Sequence, residues 1–162
     1  MKSLIAVSTA LLACVGASAQ NYADWTVQKI DGENAFLAAT MNSTGGIFGR
    51  LCSPEGCLWV MTLQATCTDG NEYPALLSTP NGAVHVDLRC APNDRVKGRY
   101  VFTNYELANK AISGTGTIGI AFPMESGDFR VSRFSLRGME AATQRMVIQV
   151  QTLLRGTGER RL

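Results

Sequence analysis

The chain has little histidine, almost no charge imbalance and no apolar run that could cross a membrane. Its 162 residues include a single histidine, His85, and the formal net charge is +2. A nearly neutral chain lacks the excess of basic residues that would indicate binding to nucleic acid or to an acidic surface. The longest apolar stretch, residues 4–15, is shorter than the roughly 20 residues that a membrane-spanning helix needs. We therefore predict no nucleic-acid partner and no transmembrane segment.

Motifs for catalysis and for cofactor binding are also scarce. His85 and Asp87 are two residues apart in an expected strand, so they share a face and could act together in base catalysis. No serine or cysteine stands in a recognisable nucleophile motif. Residues 114–119 match GxGxxG, but residues 120–123 predict a following strand, whereas the dinucleotide fingerprint requires a helix. We predict that the protein is not an enzyme and uses no cofactor; a hydrolase that uses His85 is an alternative.

The first residues have the pattern of an export signal. Lys2 is followed by the apolar stretch, and Ala17 and Ala19 are the small residues that signal peptidase accepts. We expect cleavage before Gln20, which lowers the formal net charge to +1 because one lysine is removed. The protein would then be periplasmic or secreted. A lipoprotein anchored through Cys14 is the alternative, because the residues before Cys14 resemble a lipobox.

The remaining four cysteines form an even set, which in an exported chain indicates disulfides. Cys52 and Cys57 flank a short turn that would bring their Cα atoms within bridging distance. Cys67 and Cys90 are each expected to end a strand. We favour Cys52–Cys57 and Cys67–Cys90, with residues 73–78 placed at a sheet edge because Pro74 cannot donate a ladder hydrogen bond. All three connectivities stay formally open. The spacing fits neither a redox motif nor a zinc site, so we predict no metal.

Turn residues separate short runs rich in β-branched and aromatic side chains, a pattern typical of antiparallel strands. We predict a mainly β, α+β domain that resembles a β-sandwich and is held by two disulfides. The predicted strands cover residues 25–30, 34–41, 58–67, 73–78, 83–90, 117–122 and 129–136.

Two segments depart from the strand pattern. Residues 105–112 are rich in helix formers and predict a short helix. In the last segment, apolar residues recur at steps of three and four, which predicts an amphipathic helix packed on the sheet. Its apolar face is Met139, Ala142, Met146, Val147, Val150, Leu153 and Leu154. A helix on a membrane surface is the alternative. The expected organisation is a signal peptide at 1–19, one β-rich domain at 20–155 and a flexible basic tail at 156–162.

Three short segments resemble the invasion-associated locus B family of secreted bacterial proteins. They are the tryptophan-containing opening at residues 24–27, the Cys-x-Pro-Asn segment within residues 86–93, and the Ser-Leu-x-Gly pattern within residues 134–138. The resemblance implies a β-rich periplasmic or outer-surface protein without catalytic residues, linked in some members to host-cell entry. The chain differs from the family in placing its small cysteine loop at Cys52 and Cys57.

These observations favour an exported, non-catalytic module that binds a protein partner in the envelope or in a host. A secreted enzyme inhibitor is an alternative. It would present the disulfide-clamped loop Ser53, Pro54, Glu55 and Gly56 to its target, because clamping reduces the entropy that a loop loses on binding. The oligomeric state has no signature in the sequence.

Overall fold

A computed structural model describes residues 20–64, 66–93, 96, 98–123 and 128–158. The expected signal peptide at 1–19, including Cys14, lies outside the described residues. The last four residues of the expected tail, 159–162, lie outside them as well.

The described residues form ten strands in one sheet, and every strand pairing is antiparallel. The strands are β1 (Gln20–Tyr22), β2 (Trp25–Lys29), β3 (Phe36–Met41), β4 (Ile47–Ser53), β5 (Gly56–Thr62), β6 (Glu72–Thr79), β7 (Gly82–Cys90), β8 (Arg99–Phe102), β9 (Thr117–Pro123) and β10 (Phe129–Ser135). Their order across the sheet is β1-β2-β3-β4-β5-β8-β7-β6-β9-β10. With two helices and two disulfides, this architecture confirms the predicted mainly β, α+β fold class.

Three strands were not predicted from the sequence: β1, β4 and β8. The apolar alternation of β4 is interrupted by Gly49 and Arg50, and β1 and β8 are short. The predicted strand at 58–67 also extends too far, because β5 ends at Thr62. There the chain leaves β5, and the amide of Leu63 donates to the carbonyl of Gly98 at 2.9 Å.

The inner face of the sheet, defined by the alternate residues that point toward Phe48, forms an aromatic core. The Phe48 ring on β4 stacks on Trp59 of β5 at 5.3 Å between centroids. It also contacts Trp25 of β2 at 6.1 Å, Phe102 of β8 at 6.1 Å and Phe134 of β10 at 5.5 Å. One side chain therefore contacts four strands, including strands from both ends of the sheet.

These contacts exist because the sheet curves until its two ends meet. The indole Nε1 of Trp25 donates to the carbonyl oxygen of Ser135 at 2.8 Å, and the amide of Asp24 donates to the carbonyl of Arg137 at 3.2 Å. Gly138 lies against Tyr22 with a positive φ of 92°, and an added Cβ there would collide with the Tyr22 carbonyl oxygen. Position 138, three residues after β10 ends, must therefore be glycine for this closure.

Two helices cover parts of the inner face. Helix α1 (Tyr105–Ala111) is capped by Asn104, whose side chain accepts from the amide of Leu107 at 2.9 Å. Helix α2 (Met139–Gly158) packs against β1, β2, β3 and β4. Both helices were predicted from the sequence.

The buried face of α2 is shorter than its sequence pattern. Met146 and Val150 are buried, as the spacing predicts, but Leu154 is half exposed. The backbone of α2 continues to Gly158, three residues into the expected tail.

The structure joins Cys52 to Cys57 and Cys67 to Cys90, which is the favoured pairing. The second bridge does not depend on the edge position that the sequence predicted for β6. Strand β6 is not an edge strand, because it pairs with β7 on one side and with β9 on the other. Pro74 lies beyond the part of β6 that pairs with β9, so its missing N–H interrupts no bond to β9.

Cys67 is also not at the end of a strand. It lies in the loop after β5 and reaches Cys90 at the end of β7, although β8 lies between those two strands in the sheet. Their Cα atoms are 6.0 Å apart, which is ordinary disulfide geometry. A cysteine in a loop is not held at the interstrand spacing, so it can reach a partner that a cysteine within a strand could not.

Candidate functional site

The disulfide-clamped loop is the tip of the hairpin formed by β4 and β5. Cys52 and Cys57 are a directly opposed cross-strand pair with Cα atoms 4.1 Å apart, and Ser53 opposes Gly56. Pro54 and Glu55 form the two-residue turn, and the Ser53 hydroxyl oxygen accepts from the amide of Glu55 at 3.2 Å. A concavity of about 570 Å³ lies beside this tip. The four predicted loop residues thus form one short, exposed unit.

The other two sequence motifs lie away from this tip. His85 Nε2 is 3.9 Å from the nearer carboxylate oxygen of Asp87, on an exposed face of β7. That separation exceeds hydrogen-bond length. Residues 114–119 run from a loop directly into β9 (Thr117–Pro123), so no helix follows the glycines.

A row of exposed apolar side chains crosses three strands on the outer face of the sheet. Leu76 of β6 is paired with Ala121 of β9, and Ala121 is paired with Val131 of β10. Phe129 lies two residues before Val131 and therefore on the same face. The exposed fractions are 47% for Leu76, 46% for Val131 and 68% for Phe129. We call these four residues the outer patch.

The outer patch was not predicted from the sequence. Its three strands, β6, β9 and β10, were predicted with slightly different bounds. The sequence shows only that successive residues alternate between faces; it does not show which face stays uncovered. Contiguous exposed apolar surface of this kind marks interaction sites on many proteins.

A second group missed by the sequence analysis lies on the inner face. Arg50 of β4 is directly opposed to Trp59 of β5, and its Nη2 donates to the hydroxyl of Tyr105 in α1. The guanidinium carbon lies 5.4 Å from the Tyr105 ring centroid. A signal was present, because Arg50 stands midway between Phe48 and Cys52 at alternate positions, where the pattern demands an apolar residue.

An ion pair joins the two ends of the sheet. Asp24 accepts from Arg137 Nη2 at 2.6 Å and Nε at 3.1 Å, and from the Ser135 hydroxyl at 2.7 Å. The hydrogen bonds from Arg137, and then that from Ser135, hold the pKa of the Asp24 carboxyl below its ordinary value. The pair is partly exposed to solvent and joins the turn before β2 to the segment after β10.

Among the described residues, no three His, Cys, Asp or Glu side chains are close enough to hold a metal ion. None of the helices in the described ranges is both long and apolar enough to span a membrane.

Comparison with known proteins adds no relative. No family model, curated protein or solved structure matches this chain. The resemblance to the invasion-associated locus B family therefore stays a prediction.

Proposed function

We propose that this chain is an exported, non-catalytic module that binds a protein partner through the outer patch. The observation that carries the proposal is the row of Leu76, Ala121, Val131 and Phe129, which stands in register across three strands. Rigid strands hold these side chains in place, so little conformational entropy is lost when a partner covers them.

The rim of the patch indicates the chemistry of the partner. Arg133 lies two residues after Val131, on the same face of β10, and is exposed. An apolar centre beside a cation fits a partner surface with an apolar side chain next to a carboxylate. We therefore expect the association to weaken as salt concentration rises.

The export part of the proposal is supported by the two disulfides, which are typical of oxidising compartments. Mass spectrometry of the exported chain tests it. We expect a chain that begins at Gln20 and carries no lipid. A diacylated chain that begins at Cys14 would show instead that the protein is a lipoprotein.

Capture experiments with matched variants test the binding surface. The exported protein is immobilised, and partners from envelope or host-cell extract are identified by mass spectrometry and then purified for a direct binding assay. The combined variant Leu76→Thr and Val131→Thr should lose the partner and keep its thermal unfolding midpoint, because threonine suits strands. Met41→Thr is the control, since Met41 is 65% exposed on β3, outside the patch.

The outcomes separate the proposal from non-specific adhesion. If the purified partner binds the double variant as tightly as the unmodified chain, the outer patch is not the binding surface. If Met41→Thr weakens binding to the same extent, the contact reflects general exposed hydrophobicity and the proposal is wrong.

The clamped hairpin supports a second candidate function, an enzyme inhibitor. Its observation is the Cys52–Cys57 bridge directly behind Pro54 and Glu55, which holds an exposed tip in one conformation. Inhibition of a target enzyme should then weaken on Glu55→Ala and on replacement of both cysteines by serine. Inhibition unchanged by both variants would exclude this tip.

A further inference from the structure

A cavity of about 300 Å³ lies between the inner face of the sheet and the two helices. Arg50 and Trp59 contribute from the sheet, Ile112 follows α1, and Met139 and Glu140 belong to the first turn of α2. This volume is at the lower end of the range for small-molecule sites. The cavity and the outer patch lie on opposite faces of the sheet.

Two residues that line this cavity each carry a buried hydrogen-bond donor without an acceptor in the described part of the chain. Arg50 Nε and Trp59 Nε1 have no hydrogen-bond partner among the described residues, and Trp59 is only 2% exposed. Buried donors left unpaired destabilise a protein, and native structures rarely retain them without a reason. Two such donors on one directly opposed residue pair indicate a site that an acceptor completes.

Tyr105 holds the guanidinium of Arg50 in a fixed orientation. Nη2 donates to the Tyr105 hydroxyl, so that end of the guanidinium is occupied by the protein. The Nε–H of Arg50 and the indole N–H of Trp59 have no acceptor among the described residues. Two N–H donors on a directly opposed residue pair can serve the two oxygens of one carboxylate, and guanidinium–carboxylate bonds are among the strongest hydrogen bonds in proteins.

Charge and wall composition limit the ligand further. Among the described residues that line the cavity, Arg50 is the only cation and Glu140 is an anion. A single cation beside a carboxylate disfavours a dianion such as phosphate. Ile112 and Met139 are buried apolar residues, which favour a ligand with a short apolar body.

We propose that this cavity binds a small monocarboxylate, whose oxygens accept from Arg50 and Trp59 and whose apolar end packs on Ile112 and Met139. The site is independent of the outer patch, and neither proposal requires the other.

The two tryptophans of the chain allow a direct test by NMR. Each indole N–H gives one signal in a ¹H–¹⁵N spectrum, assigned with Trp59→Phe. Sodium butyrate should shift the Trp59 signal in a saturable manner. The Trp25 signal should stay in place, because its indole is bonded to the Ser135 carbonyl at 2.8 Å. Butyramide, which keeps the shape and loses the charge, should have no such effect.

Two variants and a matched control test the assigned residues. Arg50→Gln should weaken butyrate binding at least about tenfold, because a charge-assisted hydrogen bond is lost. Arg89→Gln, at an exposed arginine on β7, should bind as the unmodified chain does. Glu140→Gln, at an exposed position of α2, should bind butyrate more tightly because a like charge is removed.

Several results would overturn the proposal. These are a Trp59 signal that butyrate does not move, an equal response to butyramide or to inorganic phosphate, and an unchanged affinity in folded Arg50→Gln. If Arg50→Gln does not fold, Glu140→Gln decides: weaker or unchanged binding of butyrate by that variant would show that the anion is not held in this cavity.

Discussion

The two faces of the sheet use the same kinds of side chain with opposite results. On β10, Phe134 is fully buried against Phe48, whereas Phe129 on the other face is mostly exposed. On β6, Leu77 is buried and its neighbour Leu76 is half exposed. Residue type therefore does not decide burial here; the presence of a covering element does. The inner face is covered by the helices and by the curvature of the sheet.

This contrast separates stability from recognition. Side chains on the inner face contribute to the free energy of unfolding, because truncation leaves a cavity in the core. The large side chains of the outer patch are about half exposed or more, so their truncation should lower the free energy of unfolding much less than truncation in the core. Unfolding in urea compares variants of the two faces with variants of the closure between the ends of the sheet.

The largest effect is expected at Gly138, which closes the inner face. Gly138→Ala should lower the free energy of unfolding by about 3 kcal/mol or more, because strain at positive φ adds to the collision with the Tyr22 carbonyl. Gly114→Ala is the matched control. Gly114 has a similar φ of 85° and open space around the added Cβ, so it should show the backbone strain alone, about 1–2 kcal/mol. Equal costs at both positions would show that the contact with Tyr22 is unimportant.

The two disulfides should differ in their contribution to stability. Replacing Cys67 and Cys90 by alanine should cost about 3 kcal/mol, and replacing Cys52 and Cys57 about 2 kcal/mol, on the chain-entropy model. The reason is sequence separation, which is 23 for the first bridge and 5 for the second. A larger loss from the hairpin bridge would show that it contributes to the inner face beyond loop closure, through the buried Cys52.

Met146 tests the inner face under α2 directly. Met146→Ala should cost about 2 kcal/mol or more, because the side chain is fully buried. On the exposed side of the same helix, Gln144→Ala should change the free energy of unfolding by less than about 0.5 kcal/mol. Leu76→Ala in the outer patch should also cost little. Comparable losses for Met146 and Leu76 would remove the distinction between the two faces.

The smallest effect is expected at the ion pair that joins the ends of the sheet. The pKa of Asp24 is lower in the folded chain than its ordinary value of 3.8, mainly because Arg137 donates to it. Its contribution is therefore present above pH 3.8 and is lost as the pH falls through the folded-state pKa. As the pH is lowered from neutral to acid, the free energy of unfolding should fall less for Asp24→Asn than for the unmodified chain. An identical acid dependence would show that Arg137 does not stabilise the carboxylate.

Elements governed by local pattern were predicted well. Both helices, the β6–β7 hairpin at Pro80 and Asn81, and the Cys52–Cys57 bridge were predicted, because short-range spacing and turn chemistry specify them. The Cys67–Cys90 bridge was favoured for a different reason, an edge position of β6, which the structure contradicts. Strand β4 was missed for a local reason too: Gly49 and Arg50 break its apolar pattern. The edge position of β6 was inferred from Pro74 alone, and that inference failed because β9 pairs with a different part of the strand.

The sequence by itself determined the alternation of each strand, the apolar stripe of α2 and the four cysteines, since these depend on neighbours along the chain. Only the tertiary structure decided that β8 lies between β5 and β7, that Tyr105 meets Arg50 across 55 residues, and that Leu76 and Val131 stay uncovered. Those features depend on which distant segments pack together, and that choice is made by the free energy of the whole chain rather than by any local spacing.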